Sequence, residues 1–212
     1  GNKETEFMLY NCLEITTLIT ESNGIIGDEF RNTGFLDGDN ETGIARQDIE
    51  KVIFETSLSG STATGVAKVW DVSAQGDNSI IAWTTETQAP YTVHISSWTP
   101  IFGNRNSSYL FAHIGSGESC TTPDAVVNLN KLNTSNVTNM SYMFRSFGKK
   151  TMTSFDLGSF DTSSATIMGW MFDACGNRKM TSFDLGDKFD TSNVKTMVGM
   201  FYATGATAMT SL

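Results

Sequence analysis

Charge is scarce in this chain, and the other scarcities narrow the field further. Of its 212 residues only 17% are Asp, Glu, Lys or Arg, and acid prevails, leaving a formal net charge of −9. Such a balance repels nucleic acid and anionic membrane at long range, so neither is expected as a partner. No run of 18 apolar residues occurs, so no segment is expected to span a membrane. The two histidines, His94 and His113, neighbour no nucleophile or carboxylate at a telling spacing. G-x-S-x-G, H-E-x-x-H, phosphate-loop and C-x-x-C motifs are all missing. The expectation is therefore a non-catalytic protein with no cofactor and no metal. An enzyme would need a deep polar pocket that brings one histidine to a carboxylate across the fold. Three cysteines, Cys12, Cys120 and Cys175, share no metal-ligand spacing. Their odd number favours unpaired thiols, with a Cys12–Cys120 disulfide as the alternative and Cys175 as a small buried filler.

What the chain does have is repetition. Met152-x-x-Phe155-x-Leu157 recurs as Met180-x-x-Phe183-x-Leu185 and again as Met209-x-x-Leu212, at steps of 28 and 29 residues. Met143-Phe144, Met171-Phe172 and Met200-Phe201 keep the same beat. So do the polar stretches Asn133-Thr134-Ser135, Asp161-Thr162-Ser163 and Asp190-Thr191-Ser192. Three markers in phase mean a repeat architecture, in which each unit buries its apolar face against its neighbours. Such proteins mostly bind, which moves the expectation from enzyme to recognition surface.

Within a unit, the x-Phe-x-Leu-x core has the alternation of a strand. The following segment places Val137, Met140, Phe144 and Phe147 at i, i+3, i+7 and i+10, the spacing of a short helix with one buried stripe. The preceding Thr and Ser are placed to cap it. The fold class expected is thus α+β: a leucine-rich-repeat-like solenoid of 28–29-residue repeats, strand plus short helix, over 121–212. A β-rich N-terminal cap over 1–120 precedes it, with 1–47 the least legible part and partly helical. In the cap, Val52-Ile53-Phe54, Val66 to Trp70, Ile80 to Trp83 and Tyr91 to Ile95 read as strands between polar turns. Asp71 to Asn78 reads as a hairpin connection, and Trp70, Trp83 and Trp98 as core. Abundant Ser, Thr, Asn and Gly fit an exported, strand-rich protein. The chain opens without Met and breaks off within a repeat at Leu212, so it reads as a piece whose targeting segments lie outside it.

The stretch Leu132-Asn133-Thr134-Ser135-Asn136-Val137-Thr138-Asn139-Met140-Ser141-Tyr142-Met143-Phe144 and its two echoes resemble the BspA-type leucine-rich-repeat surface proteins of bacteria. Trp70-Asp71-Val72-Ser73 and Ser107-Ser108-Tyr109-Leu110-Phe111 look like the β-rich region that leads into such repeats, so the resemblance covers roughly 48–212. It implies an extracellular or cell-surface protein engaged in adhesion, with an extracellular protein or glycan as partner and no catalytic residues.

Candidate binding residues follow from columns of outward strand positions. One holds Asn128, Asp156 and Asp184, a second Asn130, Gly158 and Gly186, a third Val126, Ser154 and Ser182. Neighbouring strands lie about 4.8 Å apart, which sets Asp156 beside Asp184 as like charges open to a cation or a partner's Lys or Arg. The bland alternative is that both carboxylates are solvated or hydrogen-bond nearby loops. Trp170 is the best exposed-aromatic candidate, unless it packs over the adjacent repeat. Arg145, Asp173 and Tyr202 share another position. Asp37-Gly38-Asp39-Asn40-Glu41 lacks the EF-hand order and reads as an acidic loop. The competing function is a structural spacer that displays another domain.

Overall fold

A computed structural model describes residues 13–15, 44–57, 62, 64–72, 78–98, 100–123, 125–158 and 160–209. Most of the stretch 1–47 expected to be partly helical, all but 13–15 and 44–47, lies outside these residues, as do the acidic loop at Asp37 to Glu41 and Cys12. So does most of the connection after Asp71.

The four runs read as strands are strands. β2 (Ile49–Glu55), β3 (Lys68–Asp71), β4 (Ile81–Thr84) and β5 (Tyr91–Ser96) form one mixed sheet with the short β7 (Val126–Val127), in the order β3-β4-β5-β2-β7. β3, β4 and β5 run antiparallel, whereas β5, β2 and β7 are parallel. Alternation does the sorting: Val52 and Phe54 of β2 and Tyr91, Val93 and Ile95 of β5 are buried, with half-exposed residues between them. Trp70 and Trp83 join this core, and the Trp83 indole N–H donates to Ser96 Oγ at 2.8 Å. Trp98 does not: it is 67% exposed, and its core assignment is corrected. A second, parallel sheet holds β1 (Leu13–Ile15), β6 (Ile101–Gly103) and β8 (Leu132–Asn133).

The repeats are in register, but the unit differs from the one expected. β9 (Ser154–Asp156) and β10 (Ser182–Asp184) pair in parallel, Phe155 opposite Phe183. No α-helix follows either strand; among the described residues the helical turns are short 3₁₀ pieces such as Arg46–Asp48 and Leu129–Lys131. The α+β, leucine-rich-repeat-like solenoid of strand plus short helix is therefore corrected to small sheets joined by runs of turns.

Hydrogen bonding gives the reason. In the Met140–Phe147 segment, alternate N–H groups leave the unit: those of Met140, Tyr142, Phe144 and Ser146 donate to the carbonyls of Ile167, Gly169, Met171 and Asp173. The N–H groups between them close i→i−3 turns, as from Met143 to Met140 and from Phe147 to Phe144. An α-helix keeps all of these donors inside itself, and packed helices sit 8–10 Å apart. Here successive rings lie much closer: Phe111 to Phe144 is 5.2 Å, Phe144 to Phe172 is 5.6 Å, and Phe172 to Phe201 is 5.4 Å, all near-parallel. The buried residues at helical spacing are real, but a turn ladder with left-handed residues at Tyr142, Ser146, Trp170 and Ala174 presents them equally well.

The polar stretch has no helix to cap. Thr134 Oγ1 donates to the carbonyl of Asp161 at 2.8 Å and accepts its N–H at 2.9 Å. Thr162 does the same with Asp190, at 2.9 and 2.6 Å. Each buried threonine thus clamps its unit to the next. A further copy of the turn segment, unseen in the sequence, precedes the others: Asn106, Asn139, Ile167 and Thr196 are bridged in series, and the Phe111 N–H donates to the carbonyl of Met143. Buried residues from Ile44 to Met200 form one continuous core that includes both the large sheet and the repeats.

This ladder generates two stability predictions, with Gly65 outside it as a contrast. Thr162→Val keeps the shape and removes both bonds to Asp190, and should cost about 2 kcal/mol in urea unfolding; an unchanged midpoint would remove the clamp. Gly176 has φ +52, and a Cβ there would lie 2.5 Å from Met180 Cβ. Gly176→Ala should cost about 3 kcal/mol, left-handed strain plus overpacking. Gly65→Ala, where a Cβ would meet no atom of the described residues within 4 Å, should cost only about 1 kcal/mol.

Candidate binding surface

The acidic strand pair forms as the columns require. Asp156 lies opposite Asp184, Ser154 opposite Ser182, and all four are exposed. Each carboxylate is also tied to its own turn: Asp156 Oδ1 accepts the Gly158 N–H at 2.7 Å, and Asp184 Oδ1 the Gly186 N–H at 2.9 Å. One oxygen of each is thereby fixed within its own turn. A cavity of about 200 Å³ lies beside it, lined by Ser154, Phe155 and Asp156 with Leu129, Phe147 and Met152.

Asn128 does not continue this ladder. The strand before it, β7, pairs with β2, and the Asn128 side-chain amide donates to the carbonyl of Phe54 at 3.2 Å with φ 61. Trp170 belongs to a different strip. Its ring stacks on Tyr142, centroids 6.4 Å apart and 5° from parallel, while Tyr142 in turn stacks on Tyr109 at 4.7 Å. Tyr202 meets the other side edge-on at 5.6 Å, and Gly199 leaves room for the indole that any Cβ would fill. So Trp170 packs over the adjacent unit and is half-buried. Tyr109, Tyr142 and Trp170 all adopt φ near +60, a conformation that costs a side chain about 1–2 kcal/mol and is offset by stacking. Only Tyr202 remains largely open, at 65%. In the column that Tyr202 shares, Arg145 and Asp173 face each other, with Arg145 Nε 3.0 Å from Asp173 Oδ2. Burial pushes the Asp173 carboxyl up, opposed by Arg145 and Lys149.

The histidines separate. His94 Nδ1 lies 2.9 Å from Glu55 Oε1, and its ring stacks on Trp83 at 4.0 Å. His113 sits among cations, with Arg145, Arg46 and Lys149 as its charged neighbours, and burial followed by their repulsion pushes it down to about 4. Neither imidazole is hydrogen-bonded to a hydroxyl or thiol among the described residues. Cys120 and Cys175 are buried free thiols, both pushed up by burial. Among the described residues no group of three or more His, Cys, Asp or Glu could hold a metal, and no helix is long and apolar enough to cross a membrane.

The repeated half of the chain is similar to one known family. Residues 118–210 match the family described as Mycoplasma protein of unknown function, DUF285. No curated protein and no solved structure matches the chain. The match begins after the first turn segment at Asn106 to Phe111 and spans the three units whose markers the sequence shows.

His113 generates a pH prediction. Its folded pKa lies below the unfolded value near 6.5, so the unfolded chain binds the extra proton between about pH 6.5 and 4. Stability is full above that window and falls as pH drops through it, by on the order of 2–3 kcal/mol. His113→Asn, which tolerates the left-handed backbone, should lose that much less than the parent between pH 6.5 and 4. Parallel acid-unfolding curves would show that His113 is not the group responsible.

Proposed function

We propose that this chain is a non-catalytic, cell-surface binding protein of the BspA-type kind, whose repeated units present a recognition surface to an extracellular protein or glycan. The observation that supports it best is the register of exposed outward residues. Ser154 and Asp156 sit directly over Ser182 and Asp184, so these two successive units repeat the same donors and the same negative charge. A surface of that kind suits a partner that offers Lys, Arg or hydroxyl groups at strand spacing. The motif resemblance of Leu132 to Phe144 and its echoes supports the placement among bacterial surface proteins, and the family matched over 118–210 is one of unknown function.

The spacer reading has its own observation. The Tyr142–Trp170 stack and the Arg145–Asp173 ion pair engage these side chains within the protein, leaving Tyr202 as the largely open side chain of that strip. Binding to immobilised host matrix proteins and glycans, with and without Ca²⁺, separates the two. Saturable binding that Asp156→Asn plus Asp184→Asn weakens by about tenfold is the expected result. Equal affinity in the double variant would exclude the acidic strip. Silence across the panel from a folded sample would favour the spacer.

A further inference from the structure

The carboxyl ends of three neighbouring parallel strands open onto one cleft. β5 continues into Ser97 and Trp98, β2 ends at Glu55, and β7 continues into Asn130 and Lys131; these residues line a cleft of about 430 Å³ together with Asn133 of β8. Adjacent parallel strands deliver their following residues to the same edge, which is where open sheets gather ligand-binding groups. The cleft therefore draws on segments up to 78 residues apart (55 to 133) and is a product of the fold.

Trp98 is the telling residue. Trp70 and Trp83 are sunk in the core and Trp170 is covered by its neighbours, but Trp98 leaves 67% of its surface in solvent at the cleft. A large flat aromatic face kept in water forgoes the burial the other indoles gain, and such a face beside convergent polar groups is a platform for a ligand. Glu55 is held in place by its 2.9 Å contact with His94 Nδ1 through one oxygen, leaving Oε2 as an acceptor. Asn133 Oδ1 is occupied by the Ser135 N–H at 3.0 Å, so its amide NH₂ is the group it offers. Asn130 adds a donor and an acceptor, and Lys131 a cationic donor.

We propose that this cleft is a subsite for a neutral saccharide, with a sugar ring lying on Trp98 and its hydroxyls bonded by Glu55, Asn130, Lys131 and Asn133. Vicinal hydroxyls each donate and accept, which matches carboxylate, amide and ammonium groups arrayed around one aromatic face. The local charges of Glu55 and Lys131 oppose each other, and the chain's net charge of −9 disfavours an anionic sugar. This deepens the binding-protein reading and rests on it, naming a ligand class and a location separate from the acidic strand pair.

Calorimetric titration with cellobiose, lactose, maltose and N,N′-diacetylchitobiose tests it, with a sulfated disaccharide and a mixed peptide pool as contrasts. At least one neutral disaccharide should bind with a Kd of about 1 mM or tighter. Trp98→Ala should weaken it by about tenfold or more, Trp98→Phe should keep most of the affinity, and Glu55→Gln should weaken it measurably. Because Trp98 lies outside the core, the Trp98→Ala protein should unfold at the same urea concentration as the parent. No binding of any neutral disaccharide at about 20 mM, equal binding by Trp98→Ala, or binding confined to the sulfated sugar or the peptides would overturn the proposal. Saccharide binding that survives Asp156→Asn plus Asp184→Asn supports the cleft even if the acidic strip fails its own test. Loss of saccharide binding in that double variant would instead assign the sugar to the strip.

Discussion

The repeat spacing of about one strand width governs everything else in this protein. Alternate N–H groups of each turn segment donate to the next unit, as from Phe144 to Met171 and from Phe172 to Met200, both at 2.8 Å. Once units are held that close, a helix has no room, because helices demand nearly twice the separation. The same spacing lines up Phe111, Phe144, Phe172 and Phe201 as a near-parallel stack and sets buried threonines within reach of the next backbone. Burial of the rings contributes most of the energy, and the threonine clamps and the ladder fix the register.

The ladder also explains the strained backbone. A chain that alternates local turns with outward bonds must reverse direction every few residues, and it does so with left-handed residues at His113, Ser146, Ala174 and Ala203 and, four residues before them, at Tyr109, Tyr142, Trp170 and Gly199. Gly115, Gly148, Gly176 and Gly205 close the segment in the same conformation. Ser146, Ala174 and Ala203 are small, and Tyr109, Tyr142 and Trp170 offset the strain by stacking. The aromatic column from Tyr109 to Trp170 is therefore first a structural feature. That shifts the interest in recognition to surfaces the ladder leaves unsatisfied: the acidic strand pair and the Trp98 cleft.

Much of the candidate site was legible, and the part that was not has a physical cause. The pairing of Asp156 with Asp184 follows from period-two alternation and equal repeat lengths, so the sequence contained it. Asn128 shares the repeat position, yet β7 finds a longer partner in β2 and leaves that column. The extra turn segment was readable in principle, since Asn106-x-Ser108-Tyr109-x-Phe111 matches Asn139-x-Ser141-Tyr142-x-Phe144 letter for letter. Its step of 33 residues, in place of 28 or 29, concealed it. The Trp98 cleft had no sequence signal at all, because its residues come from three strand ends that only the sheet order brings together.

By itself the sequence determined the repeat, its phase, the strands of the large sheet, and which residues of each unit face inward. Those properties are local: they depend on the alternation of polar and apolar residues along the chain. Tertiary structure decided whether the segment at helical spacing would be a helix, which of four tryptophans would stay outside, and which distant side chains would share a cleft. A spacing of i, i+3, i+7 fixes a buried stripe but not the destination of the backbone N–H groups. When a neighbouring unit offers carbonyls one strand width away, those groups bond outward, and the helix gives way to the ladder.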